Sequence, residues 1–284
     1  MKAGRGEQTG DCPEKESSGY TVLSKNRGYY GFLSRSRVPE SGRADKLEIT
    51  IPAVPNGTVY ERIEMLKSLG MNREAAEEIK SVLTSVRGKQ VFKYLAFTAI
   101  EVGEYNRIIY FTEDIEDEEF LPLSFPRGYR DIVEDASRRD NVDAFLILAL
   151  IREESRFDPE AFSIAGATGL MQLMPATAHR MRQALNMDAG DNIDIYSVKA
   201  NISLGTHYLS LLIKEFEEIP LAIAAYNAGE RAVRRWLKNS KHRDIEEFIE
   251  DIPYRETRRY VKKVLRSYWQ YRAIEGLPMK EGGI

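Results

Sequence analysis

Two adjacent glutamates stand where a carboxyl group is readily kept protonated. Residues Ala144–Ile151 are eight apolar residues in a row, too few to span a membrane and suited to a helix buried on every side. The run stops in Arg152-Glu153-Glu154-Ser155. That places two carboxyls where water is scarce and the helix dipole presents its negative pole. Both effects favour the acid form, so a carboxyl here can donate a proton near neutral pH, as a general acid must. Periodicity does not separate the two, because each has apolar residues three and four positions earlier. The competing reading of either is a solvated carboxylate just past a core helix.

The segments that follow supply binding chemistry. Asp158-Pro159 ends any helical continuation, and Ala165-Gly166-Ala167-Thr168-Gly169 is a run of small residues that lets backbone approach a ligand closely. Gln172 is the single polar side chain within Leu170–Met174, and Pro175 with Thr177 suits a helix start. By type alone, Met171, Leu173 and Met174 read as core. Leu221–Gly229 predicts an apolar helix that delivers Tyr226 and Asn227 at its end: a ring face with a hydroxyl, and an amide with both donors and acceptors. That pairing suits N-acetylated sugars, although on the residues alone a buried tyrosine before a helix-ending Asn-Ala-Gly is the better explanation. Glu256 and Tyr260 lie four residues apart, on one face of a final helix over about Tyr254–Ala273. His179, His207 and His242 are scattered, with no HExxH spacing and one cysteine, so a transition-metal site is not expected.

Four of these stretches together resemble the successive motifs of the soluble lytic transglycosylases: Glu154-Ser155, the GLMQLMP run, Ala225-Tyr226-Asn227-Ala228-Gly229, and Ile252–Val261. They occur in family order over roughly residues 140–272. The resemblance implies a mainly α fold with a lysozyme-like domain. It selects Glu154, the glutamate directly before serine, as the catalytic acid, and demotes Glu153. It implies that Ser155 helps orient the sugar, that Gln172, Met174, Tyr226, Asn227 and Glu256 face the glycan, and that Tyr260 lies near the acid. Arg259 stands where relatives commonly have a small residue.

A retaining or inverting glycosidase typically needs two carboxylates. The motifs offer one obvious acid, and the resemblance treats Glu256 as a binding residue. One acid suffices if the substrate supplies the nucleophile. The implied reaction is cleavage between N-acetylmuramic acid and N-acetylglucosamine in peptidoglycan, closing a 1,6-anhydro ring without water or cofactor. The alternatives are a single-acid muramidase that uses water, as in goose-type lysozyme, and a cell-wall binding scaffold without turnover.

The remaining elements must position this machinery. Thr58 and Glu61 have capping-box spacing, Gly70 is placed to end that helix, and Asn72 can cap the next. Helices are then expected to about Arg87, over Gln90–Val102 and over Glu104–Thr112, as hairpins resembling the close of a superhelical array. Tyr29-Tyr30-Gly31-Phe32-Leu33 predicts an amphipathic helix turning its aromatics into a core. The acidic run Glu113–Glu119 reads as a solvated loop. After it, Arg127–Arg139 predicts a polar helix, Asp140 or Asn141 a cap for the buried one, and Ile193–Phe216 a long helix. Its inner face comprises Asn201, Leu204, Tyr208, Leu211 and Leu212. The expected divisions are a polar tail over 1–18, a helical scaffold over 19–122 and the lysozyme-like domain over 123–284.

With 41 basic and 44 acidic residues and a net charge of −3, nothing points to nucleic acid, and a monomer acting on glycan strands is expected. The basic positions Arg231, Arg234, Arg235 and Lys238 read as a solvated helix face. One cysteine excludes an internal disulfide. The resemblance implies the periplasm or cell envelope, while the first residues lack the apolar run of a signal peptide. A shortened or trimmed chain, or a mis-set start codon, is the expected reconciliation.

Overall fold

The computed structural model describes residues 23–278 apart from 36, 38–45, 48–49, 188–193, 195–196 and 240–243. The tail expected over 1–18 lies outside the described residues, as does His242. Regular structure among the described residues is helical; extended pairing is confined to isolated bridges, Phe162 with Thr168 and Thr168 with Leu173.

The first helix with described bounds, α1 (Tyr29–Arg35), is followed by α2 (Thr58–Ser68), α3 (Asn72–Leu83), α4 (Lys89–Glu101) and α5 (Tyr105–Thr112). These last four stack as short-looped neighbours around Ile63, Ile79, Tyr94, Leu95 and Ile108, all at most 2% exposed. A single 3₁₀ turn at Glu118–Phe120 leads into α6 (Leu121–Ser124). The C-terminal part comprises α7 (Arg130–Asp140), α8 (Ala144–Ser155), α9 (Pro175–Ala184), α10 (Val198–Phe216), α11 (Ile219–Ala228), α12 (Glu230–Asn239), α13 (Ile245–Glu250) and α14 (Arg255–Ile274).

The helix α8 is the axis of this part. Leu146 to Ile151 are each at most 3% exposed, and burying a large aliphatic side chain contributes about 1.5–3 kcal/mol. The helix α14 runs back along it in the opposite sense. Arg272 and Tyr268, towards the end of α14, both bond Asp143 at the start of α8, at 2.9 Å each; Tyr260, near the start of α14, bonds Glu154 at the other end. Although far from it in sequence, α1 joins this same core: Tyr29 stacks on Trp269 with centroids 5.6 Å apart, and Phe32 lies 6.0 Å from the same ring.

Several local expectations are corrected. The cap of α8 is Asp143, whose side chain accepts from the N–H of Phe145 at 2.9 Å, while Asn141 closes α7 in a left-handed conformation. Thr58 and Asn72 are not caps. Gly57 and Met71 precede those helices, and neither start has a side-chain cap bond. Leu211 is 39% exposed, so the inner face of α10 narrows to Asn201, Leu204, Tyr208 and Leu212. The acidic run is mostly exposed, as a solvated loop should be, and is tied by ion pairs as well: Glu113 to Arg156, Asp117 to Lys89, and Glu119 to Lys93.

Candidate active site

The acid helix ends abruptly, and the way it ends aims its last carboxyl. Arg156 and Phe157 both adopt left-handed backbone conformations, with φ of 51° and 64°. Arg156 caps the helix through its N–H to the Arg152 carbonyl. Phe157, 2% exposed, plugs the core behind the turn. Glu154 is then left facing the Tyr260 hydroxyl, which donates to its Oε1 at 2.5 Å. As a residue Glu154 keeps partial access to solvent. Desolvation of its carboxyl nonetheless dominates and lifts its pKa from 4.5 to about 7. The Tyr260 hydrogen bond opposes that rise, and the negative charges of Glu153 and Glu256 add to it.

The neighbouring glutamate has a different occupation. Glu153 Oε1 accepts from Arg152 at 2.6 Å and from Ser267 at 2.5 Å. Arg152 is 4% exposed, donates its Nε to the Ser124 carbonyl, and lies 4.3 Å from the Phe125 ring centroid. The two carboxyls that periodicity leaves equivalent are thus separated: one is neutralised by a buried guanidinium, the other touches a phenol. Asp158 and Glu160 also follow α8, with the Asp158 side chain accepting from the Glu160 N–H at 2.9 Å.

The loop between α8 and α9 is gripped from three elements. Ser155, at the end of α8, donates its hydroxyl to the Leu170 carbonyl at 2.9 Å. From α10, fully buried Asn201 accepts from the Met171 N–H at 2.7 Å and donates to the Thr168 carbonyl at 3.0 Å. From α11, Tyr226 donates to the Met171 carbonyl at 2.9 Å. Gly169, at φ +76°, is required here: a Cβ on it would sit 2.4 Å from Asn201 Nδ2. Gln172 is itself left-handed, at φ 46°, with its Nε2 donating to the carbonyls of Ala161 and Gly169.

This brings the expected residues together in two sets. Tyr260 bonds Glu154, and Tyr226 stands within electrostatic reach of it. Their hydroxyls are raised well above 10, by burial first and the Glu154 charge next, and so remain protonated donors. Gln172, Met174, Tyr226 and Asn227 line a groove of about 470 Å³. Met174 is 44% exposed on its wall, against the core placement its residue type suggests, whereas Met171 and Leu173 are core. Asn227 is exposed, and its Oδ1 accepts from Thr257 at 2.7 Å. Glu256 is exposed on the first turn of α14, within electrostatic reach of Glu154. Ser155 is 8% exposed, with its hydroxyl turned into the loop.

A second cavity, about 590 Å³ and walled by Phe97, Leu123, Phe125, Phe145 and Tyr271, contains none of these residues. Among the described residues no group of three His, Cys, Asp or Glu side chains is placed to hold a metal, and His207 pairs with Asp140 at 2.9 Å. Sequence reasoning missed Arg152, Tyr208 and the Arg180–Glu230 pair. A charged residue directly ending an apolar run was the available signal for Arg152. The other three lie outside every motif.

A helical domain built on a buried axis that ends in one desolvated carboxyl has the lysozyme-like fold. Residues 131–249 match the transglycosylase SLT domain family. The chain carries that domain and through it is related to the soluble lytic murein transglycosylases. It is 32% identical over 261 residues to the soluble lytic murein transglycosylase of Salmonella typhimurium, covering 90% of this chain and 40% of the relative. To the Escherichia coli K12 protein of the same name it is 30% identical over 257 residues, covering 88% and 40%. Among solved structures, the 70 kDa soluble lytic transglycosylase of Escherichia coli superposes with a TM-score of 0.75 at 28% identity, covering 93% of this chain and 43% of that one. An inactive Glu-to-Gln mutant of lytic transglycosylase Slt from Pseudomonas aeruginosa gives 0.72 at 29%, covering 94% and 44%. The chain spans less than half the length of each of these relatives.

Proposed function

We propose that this chain is a peptidoglycan lytic transglycosylase. It cleaves the β-1,4 bond between N-acetylmuramic acid and N-acetylglucosamine and leaves a 1,6-anhydromuramoyl end. The observation that carries the reading is the single carboxyl of Glu154, lifted to about 7 and hydrogen-bonded by Tyr260, beside the groove that Tyr226 lines.

Glu154 gives its proton to the glycosidic oxygen as the C1–O bond breaks, and the muramoyl acetamido oxygen stabilises C1. The resulting carboxylate takes the C6 hydroxyl proton as O6 bonds C1. The acid is regenerated and no water is consumed. A pKa near 7 serves both steps at neutral pH. Burial keeps the acid protonated until it acts, and the Tyr260 hydroxyl stabilises the carboxylate afterwards. Met174, Tyr226 and the exposed amide of Asn227 hold the sugars. Gln172, bound through its Nε2, offers its carbonyl oxygen, and Glu256 binds from the rim. Ser155 acts through the Leu170 carbonyl, fixing the loop that orients the sugar.

The names of the relatives support the substrate, and the inactive Pseudomonas aeruginosa mutant supports a glutamate as the reacting group in that protein. Relatives include a membrane-bound lytic murein transglycosylase C from Glaesserella parasuis, 35% identical over 170 residues. No described helix here is long and apolar enough to cross a membrane. The proposed setting is the periplasm or cell envelope, with the chain acting as a monomer on glycan strands and needing no cofactor. Mass spectrometry of digested sacculi tests the reading. Anhydro-muropeptides are expected, absent with Glu154→Gln. Reducing ends would identify a hydrolase, and equal release by both proteins would remove Glu154 from the chemistry.

A further inference from the structure

The reversal that ends α8 is held from outside the motifs that carry the chemistry. Arg156 and Phe157 are both left-handed, a conformation that residues with a Cβ keep only where their surroundings fix it. Those surroundings are largely one helix, α5. Asn106 donates its Nδ2 to the Ser155 carbonyl at 3.1 Å. Glu113, directly after α5, accepts from Arg156 Nη2 at 2.8 Å and from its Nε at 3.4 Å. The Tyr105 ring lies 5.5 Å from that of Phe157. Ser155, Arg156 and Phe157, which follow Glu154 in the chain, are thus each gripped by a different residue of this helix or its end.

The grip is backed on both sides. Tyr105 also meets Tyr129 edge-on, with centroids 5.4 Å apart, and only glycine at 128 lets the rings close on the backbone there: a Cβ would sit 2.9 Å from Phe157 and 3.0 Å from Tyr105. Ile108 and Ile109, neighbours on α5 and both fully buried, belong to different cores. Ile108 clusters with Ile63, Ile79 and Leu95, and Ile109 with the core of α8 and α14. The last carbonyls of a helix have no partner within it, and here the Ser155 carbonyl takes the Asp158 N–H at 3.2 Å as well as the Asn106 amide. Asn106 is exposed and Glu113 half-buried, and neither lines the groove. The proposed bond cleavage has no direct use for them.

We propose that Asn106 and Glu113 are positioning residues: with Tyr105 they fix the reversal after Glu154, so that α5 sets the aim of the acid and the site is incomplete without it. This rests on the reading of Glu154 as the acid. Both residues act through Ser155 and Arg156. A surface ion pair and a surface amide bond contribute little to stability, whereas a misplacement of about 1 Å at a reacting group can cost a hundred-fold in rate. The loss therefore falls on turnover and not on unfolding.

Asn106→Ala/Glu113→Gln removes both polar grips and leaves every core residue in place. On soluble glycan strands kcat is expected to fall about ten-fold, with KM within about two-fold of wild type. The alkaline limb of kcat/KM should move to lower pH, because a loosened turn admits water to the carboxyl and relaxes the desolvation that raises it. Glu153, Tyr226, Glu256 and Tyr260, the titratable groups that face Glu154, are all retained in the variant. Binding of the strands by Glu154→Gln, measured by calorimetry, should be the same with and without the two substitutions. Ile79→Val, in the other core and away from α5, is expected to lower the unfolding temperature and leave kcat and the limb where they are. Should thermal unfolding show the double variant unfolded at the assay temperature, Glu113→Gln alone is expected to give the same split at about three-fold in kcat. Unchanged kcat and limb in the folded variant would overturn the role, as would a fall that Ile79→Val shares or one carried by KM and binding. Wild type that releases reducing ends yet shows the split would uphold the positioning role and overturn the transglycosylase reading. No product from wild type would overturn both.

Discussion

The Tyr260 hydroxyl and the Glu154 carboxyl meet at 2.5 Å because α14 runs antiparallel to α8, so that the first turns of one helix face the last turn of the other. The contact works against desolvation. Burial raises the carboxyl, and the phenol, itself held protonated by burial, donates to the ionised form and pulls it down.

Tyr260→Phe removes that donor and keeps the ring. The Glu154 pKa is expected to rise further, moving the alkaline limb of the kcat/KM profile to higher pH. The step in which the acid gives up its proton is slowed, because the carboxylate it leaves has lost its donor, and a fall in kcat of about ten-fold is expected for one lost charge-assisted bond. A pH-rate profile on sacculi decides; an unmoved alkaline limb would mean that the contact does not tune the acid.

Glu154→Gln separates chemistry from stability. Loss of the general acid is expected to lower turnover by about two to four orders of magnitude. Folding moves the other way. A carboxyl at about 7 in the folded protein and 4.5 unfolded leaves the folded state holding more protons between those values. Stability from this group is therefore full below about pH 4.5 and lost as pH rises through 7. At pH 8 the amide variant is expected to be more stable by up to about 3 kcal/mol, since one pKa unit is about 1.4 kcal/mol. The gain should vanish near pH 4.5. Urea unfolding at the two pH values checks it.

What the sequence made legible was whatever one local pattern decides. The apolar run of α8, the helices from residue 58 to 112 and the order of the four motifs are local, and the structure follows them. The division of labour between Glu153 and Glu154 is not local, because it depends on Ser267 and Tyr260, more than a hundred residues away, arriving on the same helix. Met174 reads as core by type, and only the groove formed with α11 exposes it. The caps were misplaced for a related reason: Asp140, Asn141 and Asp143 are all competent caps, and the tertiary contacts of Asp143 with Tyr268 and Arg272 fix the register.

The loop carrying Gln172 is predicted to depend on Asn201 more than on any residue within it. Asn201→Leu leaves the Met171 N–H unsatisfied beside a residue of zero exposure, and the Thr168 carbonyl keeps only its bond from the Leu173 N–H. An orphaned buried donor costs about 1–3 kcal/mol and the lost bond to the carbonyl about 1 kcal/mol, so a loss of roughly 2–4 kcal/mol is expected. Gly169→Ala attacks the same contact from the other side, pressing a Cβ against Asn201 at 2.4 Å at a backbone angle alanine avoids. The two changes share one contact, so the double variant should lose less than the sum. Chemical denaturation of the three variants measures this, and strict additivity would show that the contact is not shared.

The last prediction concerns the glutamate that is not the acid. Glu153 is bound by Arg152 and Ser267, and its charge helps to raise Glu154. Glu153→Gln should retain turnover within about ten-fold while the alkaline limb moves to lower pH, opposite to Tyr260→Phe. Arg152→Met behaves differently. It strands the Glu153 charge, whose side chain is 11% exposed, and takes away the donor to the Ser124 carbonyl. Breaking such a pair from one side costs about 3–5 kcal/mol. Combining the two substitutions removes both charges, and stability should recover by at least half of that loss. Thermal unfolding of the full cycle, read with the pH profiles, tests both roles of Glu153. If Glu153→Gln abolished turnover as Glu154→Gln is expected to, the assignment of the acid between these neighbours would have to be reversed.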